Sequence, residues 1–272
     1  MPMRDFYATS QRMPLDQADG LRRLFAGKRS QLLALAANPH VAFSGIVLDR
    51  VAAVLAGSGR HVLVIDAAST SPLPNELAGV DLAACIERIA PRVSYLPARG
   101  LPLAYVDTRG SAAGFISAVQ QAAPQAEVVL LHADAADLAR LLKHRDLRVL
   151  LLGADHPESI KHAYASAKLL ARRLELMSYD LLLVAPPHSP RLPAITQSLA
   201  DCLDSFLGAA LLASALVDPA ADLQAPPDAA LSQLLAAQLV LDESAAQGLP
   251  LAPQRGTQQM TTAQNQPRPV FR

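Results

Sequence analysis

Val41–Asp66, VAFSGIVLDRVAAVLAGSGRHVLVID, has the grammar of a strand, a loop, a helix and a second strand. Val41-Ala42-Phe43 is a short apolar run, and Ser44-Gly45 supplies a turn at a residue that tolerates sharp backbone bends. Val47, Leu48, Val51, Val54 and Leu55 then recur at helical spacing. Gly57-Ser58-Gly59 ends that helix, and His61-Val62-Leu63-Val64-Ile65-Asp66 is a buried-strand run closed by a carboxylate. A unit of this kind holds phosphate when its loop is Gly-rich and carries a Lys. Here the loop has one glycine, Gly45, and no lysine.

Outward from this unit, strand-like and helix-like runs alternate. Strands are expected at 41–44, 61–66, 103–106, 127–132, 147–152, 180–185 and 210–217, and helices at 82–90, 111–122, 135–144, 158–177, 191–207 and 228–240. Asp81, Ser111 and Asp134 read as helix caps, and Pro157-Glu158 as a first turn. Continuous apolar runs such as Val128–Leu131 suit strands covered on both faces. The pattern predicts an α/β fold with a mainly parallel, seven-stranded sheet flanked by helices, whose ligands bind beyond the carboxyl ends of the strands. Val41–Ser44 and Val128–Leu131 are expected near its centre. The expected organisation is a flexible segment over 1–35, one α/β domain over 36–242 and a disordered tail over 243–272.

Composition narrows the function classes. Apolar residues make up 51% of the 272 residues and Trp is absent, so the core is aliphatic. Lys and Arg number 24 and so do Asp and Glu, which leaves no basic excess for displacing the counterions of a nucleic acid. Cys85 and Cys202 fall within apolar helical patterns and read as buried thiols in a reducing compartment. No uninterrupted apolar run reaches the roughly 18 residues of a membrane span. Ala229–Leu241 lacks Lys and Arg and reads as a docked helix, so no stable membrane anchor is expected. Asp5 and the lack of an apolar leader make the expectation a cytoplasmic protein. The histidines form no HExxH or Cys–His cluster, and His132-Ala133-Asp134 is explained by Asp134 as a cap.

Before the domain, Leu15–Phe25 carries a separate signal. Asp16 is placed to cap a helix and Asp19 to complement its dipole, while Ala18, Leu21, Leu24 and Phe25 form an apolar stripe. Arg22, Arg23, Lys28 and Arg29 gather towards its end. At this length, below the roughly 12–15 residues at which isolated helices become marginal, the element must dock, on its own domain or on a partner.

These features together resemble the MinD/ParA family of deviant Walker-type ATPases, most closely its flagellar branch, FlhG. Asp16-Gln17-Ala18-Asp19-Gly20-Leu21-Arg22 is similar to the DQAxxLR motif with which that branch engages and stimulates the GTPase FlhF. His61–Ala67 resembles the strand after the phosphate-loop helix. Pro157-Glu158-Ser159-Ile160, with Ala163-Tyr164-Ala165 and Lys168-Leu169-Leu170, resembles the PEPxSIxDAYAxxKxL helix. The resemblance implies a P-loop NTPase architecture, with Asp16, Gln17, Ala18, Leu21 and Arg22 as partner-binding residues. It implies an FlhF-type GTPase as partner, and flagellar basal-body or transcriptional regulator proteins downstream. The family's KGGVGKT loop would fall on His40–Val47, placing Gly45 at its last glycine, Ile46 at the Lys and Val47 at the metal-binding Thr. Ser44, Gly45, Ile46 and Val47 then form a degenerate loop with Asp66 as a remnant, Ala68 replaces a second carboxylate, and Ala185 an adenine-contacting Asn. No cofactor and no hydrolysis are expected on this reading. Two others stay open: an ATPase that uses MgATP through an unorthodox loop, and a nonflagellar α/β scaffold for another ligand.

Overall fold

A computed structural model describes residues 30–143, 145, 147–222 and 228–247. The expected helix at 15–25, with Asp16, Gln17, Ala18, Leu21 and Arg22, lies outside these residues. Strands β1 (Gln31–Ala36), β2 (Val62–Asp66), β3 (Glu87–Ala90), β4 (Val93–Pro97), β5 (Val128–Ala133), β6 (Val149–Ala154), β7 (Ser178–Val184) and β8 (Ala210–Val217) form one eight-stranded sheet. Its order is β3-β4-β2-β5-β1-β6-β7-β8, and every pairing is parallel except β3 with β4. The helices are α1 (Ser44–Gly57), α2 (Ala113–Ala122), α3 (Ala135–Leu141), α4 (Pro157–Leu174), α5 (Leu192–Leu207) and α6 (Ala229–Gln247).

Side-chain alternation along the strands divides the core in two. Leu32, Ala34, Leu63, Ile65 and Leu131 pack on Phe115 and Ile116 of α2, Leu138 of α3, Leu170 of α4 and Leu203 of α5. Leu33, Leu35, Val64, Leu130 and Leu150 pack on Val47, Val51 and Leu55 of α1 and on Leu231, Leu234 and Leu235 of α6. Both faces are thus covered, which is why the central strands carry near-continuous apolar runs.

The sequence expectation needs correcting in four places. The central strand is Gln31–Ala36, not Val41–Ser44. A strand with helices on both faces needs a run buried on both, and all six residues of β1 meet that requirement. Val41 is buried, but Ala42 and Phe43 are exposed, and Ser44 already begins α1. β1 therefore carries the sheet back across the expected boundary at residue 35. Residues 103–105 belong to a 3₁₀ turn, Leu101–Tyr105, preceded by Gly100 at φ 78° and carrying Pro102 in its first turn, and Val106 follows it in extended backbone. The strand of that region is β4, whose Val93 and Leu96 enter the core. The helix expected at 82–90 is a 3₁₀ turn, Ala83–Cys85, followed by β3. Ala90 precedes Pro91, and a residue before proline is disfavoured in helical backbone. The sheet consequently has eight strands, not seven. The remaining strands and helices lie close to their expected ranges, with α6 extending to Gln247.

Candidate functional site at the carboxyl edge of the sheet

The strands β2, β5, β1 and β6 end side by side, with Asp66, Ala133, Ala36 and Ala154 as their last residues. Between β1 and α1 runs the loop Ala37–Phe43, ANPHVAF, which has neither glycine nor lysine. Asn38 fixes it. This buried side chain donates to the Leu152 carbonyl at 2.7 Å and to the Ser159 carbonyl at 2.8 Å, and its Oδ1 accepts from the His40 amide at 3.1 Å. Ser159 Oγ in turn accepts from the Ala154 amide at 2.9 Å, so the loop is stapled to the end of β6 and the start of α4. Phe43, 64% exposed, closes the loop at φ 64°, a left-handed conformation that costs a bulky residue roughly 1–2 kcal/mol.

Ser44, Gly45, Ile46 and Val47 form the first turn of α1. Val47 points into the core and is fully buried, so its side chain faces the sheet and not the crevice. At Gly45 an added Cβ would meet nothing within 4 Å, so no close backbone approach requires glycine there. Ala68 and Ala185 are both buried.

Asp66 is the centre of a polar cluster. Its Oδ1 lies 2.7 Å from His132 Nδ1 and accepts the Ser71 hydroxyl; its Oδ2 accepts the Tyr95 hydroxyl at 3.1 Å. The parallel β2–β5 register sets Asp66 directly beside His132. Burial alone would raise the Asp66 pKa. The hydrogen bond and charge of His132, with the Ser71 and Tyr95 hydroxyls, outweigh it and hold the carboxyl below its ordinary value. Tyr95 is pushed up by burial and by the Asp66 charge. His132 is 1% exposed, and its Nε2 has no hydrogen-bond partner among the described residues.

Asp134 stands at the N-cap position of α3, but its carboxylate turns away from the helix and accepts the Ser69 amide at 3.0 Å. The loop after β2 is therefore tied to β5 twice, through Ser71–Asp66–His132 and through Ser69–Asp134. Sequence reasoning singled out Asp66 but missed His132 as its partner, and missed Asn38 as the residue that fixes the loop after β1. The Asn38-Pro39 pair directly after the apolar run Leu32–Ala37 was the available signal for the loop. Among the described residues no group of three or more His, Cys, Asp or Glu is arranged to hold a metal ion. No helix among them is long and apolar enough to cross a membrane.

A separate cavity of about 940 Å³ opens between α1, the end of β8 and α6, lined by Val54, Leu55, Val217, Leu231 and Leu235 with Arg50 at its wall.

No family model matches the sequence, and no curated protein does either. Among solved structures, a putative plasmid partition protein from Borrelia burgdorferi bound to AMPPNP superposes with a TM-score of 0.53 at 11% identity, covering 78% of this chain and 99% of that one. The fold is shared with that protein: a mostly parallel central sheet flanked by helices. Cobyrinic acid a,c-diamide synthase from Mycobacterium smegmatis gives 0.52 at 15% identity, covering 77% and 93%. The MinC:MinD complex of Aquifex aeolicus aligns at 0.46 and 13% identity, covering 80% and 91%. At these identities the likeness is one of fold.

Proposed function

We propose that this chain is a non-hydrolysing, FlhG-like regulator of flagellar biosynthesis that acts in the cytoplasm by binding and stimulating an FlhF-type GTPase. The observation that carries the non-hydrolysing half is the saturated Asp66. Binding of MgATP in this fold needs loop amides around the phosphates, a Lys charge on them, a hydroxyl on the metal and a carboxylate at the end of the adjacent strand. In Ala37–Phe43 there is no lysine, Pro39 has no N–H, and Asn38 is turned inward to Leu152 and Ser159. Ser44 offers a hydroxyl at the helix start, but Asp66 is engaged by His132, Ser71 and Tyr95. His132, at the matching end of β5, brings no negative charge of its own. These residues do not fit a magnesium nucleotide.

What supports the partner-binding half is the DQAxxLR-like segment ahead of a domain with this fold. On this reading Leu21 anchors the segment on FlhF, Arg22 pairs with acid on the partner, and Asp16 caps the helix that forms. Gln17 reaches the partner's nucleotide site and orients the attacking water. The test is GTP turnover by FlhF with and without the full chain. Stimulation by the wild type is expected, and Gln17→Ala is expected to abolish it while retaining most of the binding. Equal turnover with and without the protein would end the flagellar reading.

The cavity beside α6 favours a second reading, an α/β scaffold that binds an apolar small molecule. A chain inert towards FlhF but stabilised by such a ligand would favour it.

A further inference from the structure

On the sheet face opposite α1, a cleft of about 340 Å³ lies between two 3₁₀ turns, Glu76–Gly79 and Ala83–Cys85, and α2. Ala78, Val80, Leu82, Tyr105, Ala118 and Ala122 line it. Val80 is 91% exposed and neighbouring Leu77 59%, an unusual outlay of aliphatic surface on so short a stretch. Exposed Glu76 and Asp81 stand on the same stretch. A space of this size admits one or two large side chains rather than a whole helix. A helix with a single apolar stripe needs no more.

The chain itself supplies a segment whose sequence carries such a stripe. Ser30, the first described residue, is held to α2 by a 2.9 Å hydrogen bond from Gln120 Nε2. Gln121 and Ala122, next along α2, line the cleft. Phe25 is five residues before Ser30, a span of at most roughly 17 Å. That is longer than the 10–12 Å diameter of one helix, and the linker starts beside Gln120, one residue from the cleft. The segment Leu15–Phe25 carries Ala18, Leu21, Leu24 and Phe25 on one stripe, and its basic residues Arg22 and Arg23, with Lys28 and Arg29 just beyond it, are opposite in charge to Glu76 and Asp81. A helix this short requires a surface in order to form.

We propose that residues 15–25 of this chain dock in the cleft between the 3₁₀ turns and α2. The docking stands on the cleft, the reach and the charge. Its consequence, that the chain masks its own partner motif until FlhF competes for it, rests on the function proposed above.

The test compares amide hydrogen exchange in the full wild-type chain with that in full-chain Leu21→Glu/Leu24→Glu and Val80→Glu. The first pair alters the segment, and the second an almost fully exposed position that the domain does not need for folding. Either change should speed exchange at Val80, Asp81, Cys85 and the last turn of α2 by about tenfold, with the central strands unmoved. Identical exchange in all three chains, or changes confined to other surfaces, would overturn the docking. In the FlhF assay, Val80→Glu should raise GTP turnover above that of the wild type at equal, sub-saturating protein. Docking by exchange without that rise would overturn the masking. Docking by exchange with no FlhF stimulation by any variant would instead remove the flagellar function and leave the docking in place.

Discussion

Asp66 accepts from three side chains contributed by β5, β4 and the loop that follows β2, so its carboxylate ties three parts of the carboxyl edge together. Replacing it with Asn leaves His132, already short of a partner at Nε2, with a weaker acceptor at Nδ1. Asp66→Asn should cost about 1–3 kcal/mol at neutral pH, read from urea unfolding. The sign of its pH dependence follows from the lowered folded pKa. The Asp66 contribution is fully present above the unfolded value near 3.9 and is lost as pH falls through the folded value. The gap between wild type and Asp66→Asn should therefore narrow below about pH 4. A gap that stayed constant to pH 2 would show that the charge is irrelevant. Phe43 gives a prediction of opposite sign. Phe43→Gly removes left-handed strain from an exposed residue and should stabilise the chain by about 0.5–1 kcal/mol after the added backbone entropy of glycine. A loss of stability would mean that the ring packs usefully in solution. Asp66 was legible because a carboxylate ending an apolar run stands out. His132 was not, because the contact spans 66 positions and exists only once β5 is placed beside β2.

At the scale of elements, legibility followed burial and length. β5 and β8, and helices α4 and α5, are long, well-punctuated runs, and their ranges followed from apolar pattern and cap residues. β1 is hard to read from sequence because Gln31–Ala36 adjoins a polar N-terminal stretch, while Val41–Phe43 directly precedes the amphipathic helix α1. β3 and β4 are four and five residues long, with Pro91 between them, and local propensity has little to accumulate over such lengths. α6 shows how a helix whose described buried positions are Leu231, Leu234, Leu235, Gln238 and Leu239 is held in one register by a single polar side chain. Gln238 Nε2 donates to Asp180 Oδ2 at 2.6 Å, and Arg148 reaches the same carboxylate at 3.1 Å. Asp180 is 1% exposed, so both donors are needed to satisfy it. Gln238→Leu keeps the volume but removes one donor to a buried charge, and should cost about 1.5–3 kcal/mol. Chemical unfolding measures it. A change within a few tenths of a kcal/mol would mean that Arg148 alone satisfies the carboxylate.

For the whole molecule, the sheet order and the two-faced core form an α/β architecture open at the carboxyl edge of its strands, while the residues at that edge are committed to one another. The sequence made the architecture legible because it depends on many apolar positions, any few of which can be misread. It made the site only partly legible, since the inward turn of Asn38 and the Asp66–His132 contact are tertiary facts. This contrast between fold and site has a measurable consequence. A ligand that binds only the folded state at a hundred times its Kd stabilises it by about 2.7 kcal/mol. For a domain of this size each kcal/mol raises Tm by roughly 2–4 °C, so millimolar MgATP at a site of ten-micromolar affinity would raise Tm by roughly 5–10 °C. The expectation here is no shift with MgATP, MgADP or the non-hydrolysable analogue, and no heat in calorimetry. Ile46→Lys should not restore binding, because a single added cation leaves Asp66 still engaged by His132, Ser71 and Tyr95. A rise of several degrees with wild-type protein would instead mean that the loop reopens around the nucleotide, and the chain would then be a nucleotide binder with an unorthodox phosphate loop, whose turnover a phosphate-release assay would decide.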